Sequence, residues 1–174
     1  MMTLMPAPVS RRRLILLGAA CALSGCGVVA GTRSLLGLDP KPVTPDWKSL
    51  ALRADDDANA NSAVAVDVVL VKDLAVLDAV QAMPATKWFA TRGDLQRSFP
   101  EGLTVYRYEL VPGRTIKMDS KLWSEQKAWA ALVYAGYASP GEHRSRLLLN
   151  TSGYVVQLGA QGFSASELKA GSAQ

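Results

Sequence analysis

The sequence has 174 residues, 49% of them hydrophobic and 20% charged, with a formal net charge of +4. Arg11, Arg12 and Arg13 supply three of the 19 basic residues, and the other 16 stand against 15 acidic ones, so the excess sits at the N-terminus and the remainder is nearly neutral. That balance removes the basic surface a nucleic-acid binder needs, and the only cysteines, Cys21 and Cys26, leave the rest of the chain without a thiol for a disulfide or a metal.

In chain order, the arginine triplet is followed by the apolar run Leu14 to Ala22 and then by small residues, the layout of a secretory signal peptide. The run is far shorter than the roughly 20 residues of a permanent membrane helix. It closes on Leu23, Ser24, Gly25 and Cys26, which resembles the lipobox of bacterial lipoproteins. The resemblance implies residues 1–25 as a removed signal, with Cys26 as the first mature residue, carrying N-acyl and S-diacylglycerol groups. Two or more acyl chains anchor stably, at about 0.8 kcal/mol per buried methylene. Export is expected by the general secretory route, with the twin-arginine route as the alternative. Gly27, where an aspartate would favour retention at the inner membrane, directs the expectation to the periplasmic face of the outer membrane. No other cofactor and no metal is expected.

Residues 26–46 carry Pro40, Pro42 and Pro45 with Gly31 and Gly37, the composition of a tether able to hold a domain clear of lipid headgroups. From Trp47 the pattern changes to period two, and residues 47–170 read as one domain. Leu50, Leu52 and Ala54 alternate in a first strand; Ala63 to Val71 makes a second, with a β-branched density that suits a central position. Asp67 then needs an outward position or a partner. Asp73 is placed to cap a helix ended by Pro84. A second short helical piece, carrying Trp88, Phe89, Leu95 and Phe99, is expected to break near Gly93 and stop at Pro100, so a helical insertion occupies about 73–99. Strands follow at Leu103 to Val111, Thr115 to Met118, Ala128 to Tyr137, Arg144 to Asn150 and Tyr154 to Leu158, with turns at Pro112-Gly113, Ser139-Pro140-Gly141 and Ser152-Gly153. Six or seven short strands imply a sandwich. Residues 171–174 read as a frayed tail.

Catalytic chemistry finds little material. His143, the single histidine, lies in the polar turn Pro140 to Arg144 and reads as solvent-exposed, and no nucleophile motif or metal-ligand spacing accompanies it. Trp47, Trp88, Trp123 and Trp129 offer a sugar platform, but two of them sit in apolar-patterned stretches and read more simply as core or sheet cover. The chain is therefore expected not to be an enzyme and to have no small-molecule substrate. The loop Asp55-Asp56-Asp57-Ala58-Asn59-Ala60-Asn61-Ser62 is the main polar candidate. Three adjacent carboxylates resist burial, so they read as a solvated turn or as a surface for a basic partner. Oxygens at alternate positions suggest a calcium loop, but Ala60 stands where the turn glycine belongs and Val66 where the closing glutamate belongs.

The order of these parts, with Asn61 to Asp73, Trp88-Phe89 and Glu109-Leu110-Val111-Pro112-Gly113 as its most telling pieces, resembles the outer-membrane lipoproteins of type VI secretion, the TssJ family. The resemblance implies a mainly β fold, a transthyretin-like (immunoglobulin-like) antiparallel β-sandwich with a short helical insertion after the second strand. It further implies a structural role: tethering the secretion membrane complex to the outer membrane by binding the periplasmic C-terminal domain of the inner-membrane TssM protein. Its partner-binding element is the loop between the first two strands, here with Asp55, Asp56, Asp57, Asn59, Asn61 and Ser62 as candidate contacts. The alternative is a pilotin or assembly factor of another envelope machine.

Overall fold

The computed structural model describes residues 40–168. The signal segment, the lipobox with Cys26, most of the tether and the C-terminal tail lie outside the described residues. The compact unit begins at Pro42, ahead of the Trp47 start read from the pattern. Val43 bridges Ala128, and the Asp46 amide donates to the Leu149 carbonyl at 2.8 Å, so the end of the tether is already part of the fold.

Among the described residues, eight strands form two four-stranded sheets. One has the order β4 (Thr115–Met118), β1 (Ser49–Ala54), β7 (Gly153–Leu158), β8 (Phe163–Glu167); the other has β3 (Leu103–Leu110), β2 (Val64–Val71), β5 (Ala130–Gly136), β6 (Arg144–Leu147). The class is the expected mainly-β sandwich, with two departures. β1 and β7 pair in parallel, Ser49 opposite Gly153 through Ala54 opposite Leu158, so the first sheet is mixed. β8 is an additional strand that carries little apolar alternation, because Phe163 to Glu167 is polar and half-exposed; it is held by pairing with β7.

Period-two alternation places Val64, Val66, Val68 and Leu70 in the interior between the sheets, with Leu50, Leu52, Val156 and Leu158 facing them. Trp47 and Trp123 close one end of this core. Their rings meet edge-on at 5.5 Å, and the Trp123 indole N–H donates to the Trp47 carbonyl at 2.9 Å. Gly153 is required where β7 starts: at φ +146, a Cβ there would lie 1.9 Å from the Ser49 carbonyl oxygen.

The opposite face of β2 is covered by α1 (Leu74–Ala82) and α2 (Ala85–Ser98). Asp73 caps α1, its carboxylate accepting from the Ala75 amide at 2.8 Å, and Met83 with Pro84 ends it. α2 runs unbroken through Gly93, contrary to the expected break. A single glycine costs a helix only about 1 kcal/mol, and α2 is fastened at Trp88, which is fully buried with Val69, Val80 and Tyr134 in a second core. No helix among the described residues is long and apolar enough to cross a membrane.

Strand directions divide the molecule into two ends. β1, β3, β5 and β7 run one way and the even-numbered strands run back. The entry end therefore holds Pro42 to Trp47 and the C-terminal ends of β2, β4, β6 and β8. The far end gathers residues 55–63, 111–114, 137–143 and 159–162.

Candidate functional site: the loop at the far end

Of the triplet, only Asp56 and Asp57 are exposed. Asp55 is drawn into the scaffold: its amide donates to the Leu158 carbonyl at 2.9 Å, its carbonyl accepts from Ala58 and Gly113 at 3.1 Å each, and its carboxylate accepts from the Gln157 side chain. Asp55 thus ties the loop to β7 and to the Pro112-Gly113 turn, where Gly113 adopts φ +74. Asp56 and Asp57 take part in none of the ion pairs found among the described residues.

Residues 59–61 form a left-handed turn, with φ/ψ of 47/45° at Asn59 and 53/48° at Ala60, and φ 63° at Asn61. Each L-residue there costs about 1–2 kcal/mol, somewhat less for asparagine. Hydrogen bonds to a distant connection hold it: the Asn59 and Ala60 amides donate to the carbonyls of Gly159 and Ala160 at 3.1 and 3.2 Å. The Asn59 side chain faces inward, 8% exposed, donating to the Ala63 carbonyl at 3.1 Å and accepting from the Ala138 amide at 3.0 Å. Asn59 is therefore a clamp joining three connections rather than an exposed contact. Its oxygen serves Ala138, and no group of three or more His, Cys, Asp or Glu side chains among the described residues is arranged to hold a metal. Ala60, Asn61 and Ser62 are left on the surface beside Asp56 and Asp57. A shallow depression of about 420 Å³ runs from Asp55, Asp56 and Gly113 onto the outer face of the first sheet, where Ala51, Arg53, Thr115 and Val155 line it.

His143 stands behind the loop and is not the free surface residue read from its turn. It is half-buried at φ 42°, stacks on Tyr137 at 4.8 Å and lies 2.8 Å from the Ser139 carbonyl through Nε2. The Tyr137 hydroxyl donates to the Gly162 carbonyl at 2.7 Å. Burial pushes this phenol up from 10.0 to about 12, with the Asp55 carboxylate adding and a backbone hydrogen bond at Gly159 opposing. The neutral form is thus favoured in the fold, so its contribution to stability is full below pH 10 and is lost as pH rises through 10 to 12. Urea midpoints measured across that range should fall, and Y137F should flatten part of the fall while lowering the plateau.

The other polar feature lies beneath α2. Asp67, its side chain 1% exposed, accepts from the Trp88 indole N–H at 2.8 Å and pairs with Arg92 at 2.5 Å. Trp88 and Arg92, four residues apart on one helix face, answer the need for a partner that the strand pattern had posed. The available signal was that spacing, but nothing local says that α2 lies over the middle of β2.

These features define a mixed-sheet β-sandwich with a two-helix cover on one sheet and a strained acidic loop at the end away from its N-terminal entry. That fold is TssJ-like: the type VI secretion lipoprotein TssJ1 from Pseudomonas aeruginosa matches with a TM-score of 0.51 at 16% identity, over 74% of this chain and 98% of that one. Also similar are Lip of Serratia marcescens, a membrane-bound component of the type VI secretion system (TM-score 0.49, 18% identity, 68% of this chain and 95% of that one), and a chain from the structure of the TssM C-terminal domain of EAEC (0.47, 16%, 74% and 100%). No protein-family model and no curated protein sequence matches the chain.

Proposed function

We propose that this chain is a lipid-anchored structural component of a type VI secretion membrane complex. On this reading Cys26 carries the N-acyl and S-diacylglycerol groups that hold it in the outer membrane. Loop 55–62 binds the periplasmic C-terminal domain of a TssM-like inner-membrane protein and so tethers the complex. The observation that carries the reading is the polarity of the sandwich: the chain enters at Pro42 to Trp47, and the loop projects from the opposite end. A domain tethered at its entry end offers that loop to whatever stands away from the membrane. The TssJ-like fold supports the same assignment.

The loop's chemistry suits a basic partner surface, because Asp56 and Asp57 are exposed carboxylates on a pre-ordered backbone. Rim charges of this kind act mainly on association rate and salt dependence. D56A/D57A should therefore weaken binding to a TssM-like periplasmic domain by about three- to tenfold and flatten its salt dependence, with thermal stability unchanged. Undiminished affinity in a calorimetric titration would remove the loop assignment. A pull-down of the C-terminally tagged mature chain from detergent-solubilised envelopes tests the wider role. It should recover an inner-membrane protein with a large periplasmic region together with secretion components; unrelated envelope proteins alone would refute it.

A further inference from the structure

The two ends also differ in their apolar surface. Among the described residues five large hydrophobic side chains are exposed, and of these Val43 (49%), Leu74 (56%), Leu122 (37%) and Leu148 (50%) belong to the entry end, against only Val111 at the far end. Val43 precedes β1 and bridges Ala128, Leu74 begins α1 directly after β2, Leu122 lies in the 3-10 turn after β4, and Leu148 follows β6. Val43 and Leu148 line one open depression of about 340 Å³ with the half-buried Trp129 and with Arg146. Lys41 and Lys127 are exposed nearby.

We propose that this end of the sandwich rests on the lipid headgroups of the membrane that holds the anchor. The proposal builds on the lipid-anchor reading of Cys26. Aliphatic side chains beside an indole, with Lys and Arg at the margin, match the interfacial zone: the apolar groups reach the acyl boundary, the indole sits at headgroup depth, and the long basic side chains keep their charge among the phosphates. Carboxylates share this end: Asp46, Asp73, Asp119 and Glu125 are exposed there as well and offset the lysines, so apolar contact rather than attraction to anionic lipid has to carry the docking.

The occupant follows from the chain. Only the stretch from Gly27 to Lys41 separates the lipidated cysteine from this surface, and fully extended it spans at most roughly 50 Å. The entry end is thereby kept at high effective concentration at the bilayer, and an affinity too weak to hold a free domain suffices. Docking would set the sandwich upright with loop 55–62 outward, reducing the orientational freedom lost when a partner binds. A tether long enough to hold the domain clear of the headgroups would then serve mainly to let it settle.

The mature chain has no thiol besides the acylated Cys26, so an introduced cysteine is unique. The lipidated mature chain carrying a nitroxide on L148C, or on S62C as the far-end control, would be reconstituted in vesicles of phosphatidylethanolamine and phosphatidylglycerol. Collision of the label with oxygen and with a water-soluble nickel chelate is then measured. The label at 148 should be at least about threefold less accessible to nickel than the label at 62, and more accessible to oxygen. Equal nickel accessibility at the two positions would overturn the docking. Mass spectrometry of the same sample separates the two readings: a chain without lipid on Cys26 overturns the anchor itself, whereas a lipidated chain with equal accessibilities overturns the docking alone.

Discussion

Arg92→Ala is expected to destabilise the folded unit by about 3–5 kcal/mol, the usual cost of leaving one member of a buried ion pair behind. Asp67, 1% exposed with Arg92 in place, lies in the middle of β2 opposite Tyr134 on one side and Arg107 on the other, and would be left with the Trp88 N–H as its hydrogen-bond donor. The converse change is gentler. In Asp67→Ala the Arg92 side chain, already 28% exposed and lying over the Phe89 ring at 4.9 Å, turns its guanidinium to water, and the main loss is the unpaired Trp88 N–H, about 1–3 kcal/mol. Urea denaturation of the two single variants and the double variant measures this asymmetry and the coupling between the residues. Asp67→Ala costing more than Arg92→Ala would show that the pair is not what fixes α2 on the sheet.

Asn59→Ala is expected to act on both stability and binding. It removes the donation to Ala63, strands the Ala138 amide, and places alanine at φ 47°. Two net hydrogen bonds at about 1 kcal/mol each, with about 1 more for the left-handed backbone, give a loss of roughly 2–4 kcal/mol. Asn59→Gly loses the same hydrogen bonds without the backbone penalty and should fall short of the alanine variant by about 1 kcal/mol. Because Asp56, Asp57 and Asn61 are carried on this turn, the proposed partner affinity should drop more than tenfold in Asn59→Ala, beyond the effect of removing the two carboxylates. An unaltered denaturation midpoint would show that the Gly159 and Ala160 contacts alone hold the turn.

Much of the fold was legible in the residues, and the reason differs from element to element. Val64 to Val71 could be placed as a central strand because it is flanked by partners on both sides and buried on both faces, so packing selects β-branched residues along its whole length. The Asp73 cap and the Pro84 stop are local chemistry and stood where expected. Gly93 misled because the break it suggests is worth less than the burial of Trp88. Phe163 to Glu167 stayed hidden because an edge strand buries little and so carries little pattern.

The candidate site was legible only in part. Three adjacent carboxylates mark a surface from any sequence, because burying them together is costly, and the position of the loop between two strands followed from the strands themselves. The sequence alone determined the near-neutral charge outside the N-terminus, the absence of a thiol beyond Cys26, and the loop with a strand on either side of it. Only the tertiary structure decided that Asp55 and Asn59 turn inward, that Asp67 meets Arg92, that β1 pairs in parallel with β7, and that exposed aliphatic side chains gather at the entry end. The physical reason is range. Capping, alternation and charge crowding act between near neighbours, whereas a buried polar side chain takes its role from whichever distant backbone or guanidinium the packing brings within 3 Å, as the sequence separation of 79 from Asn59 to Ala138 illustrates.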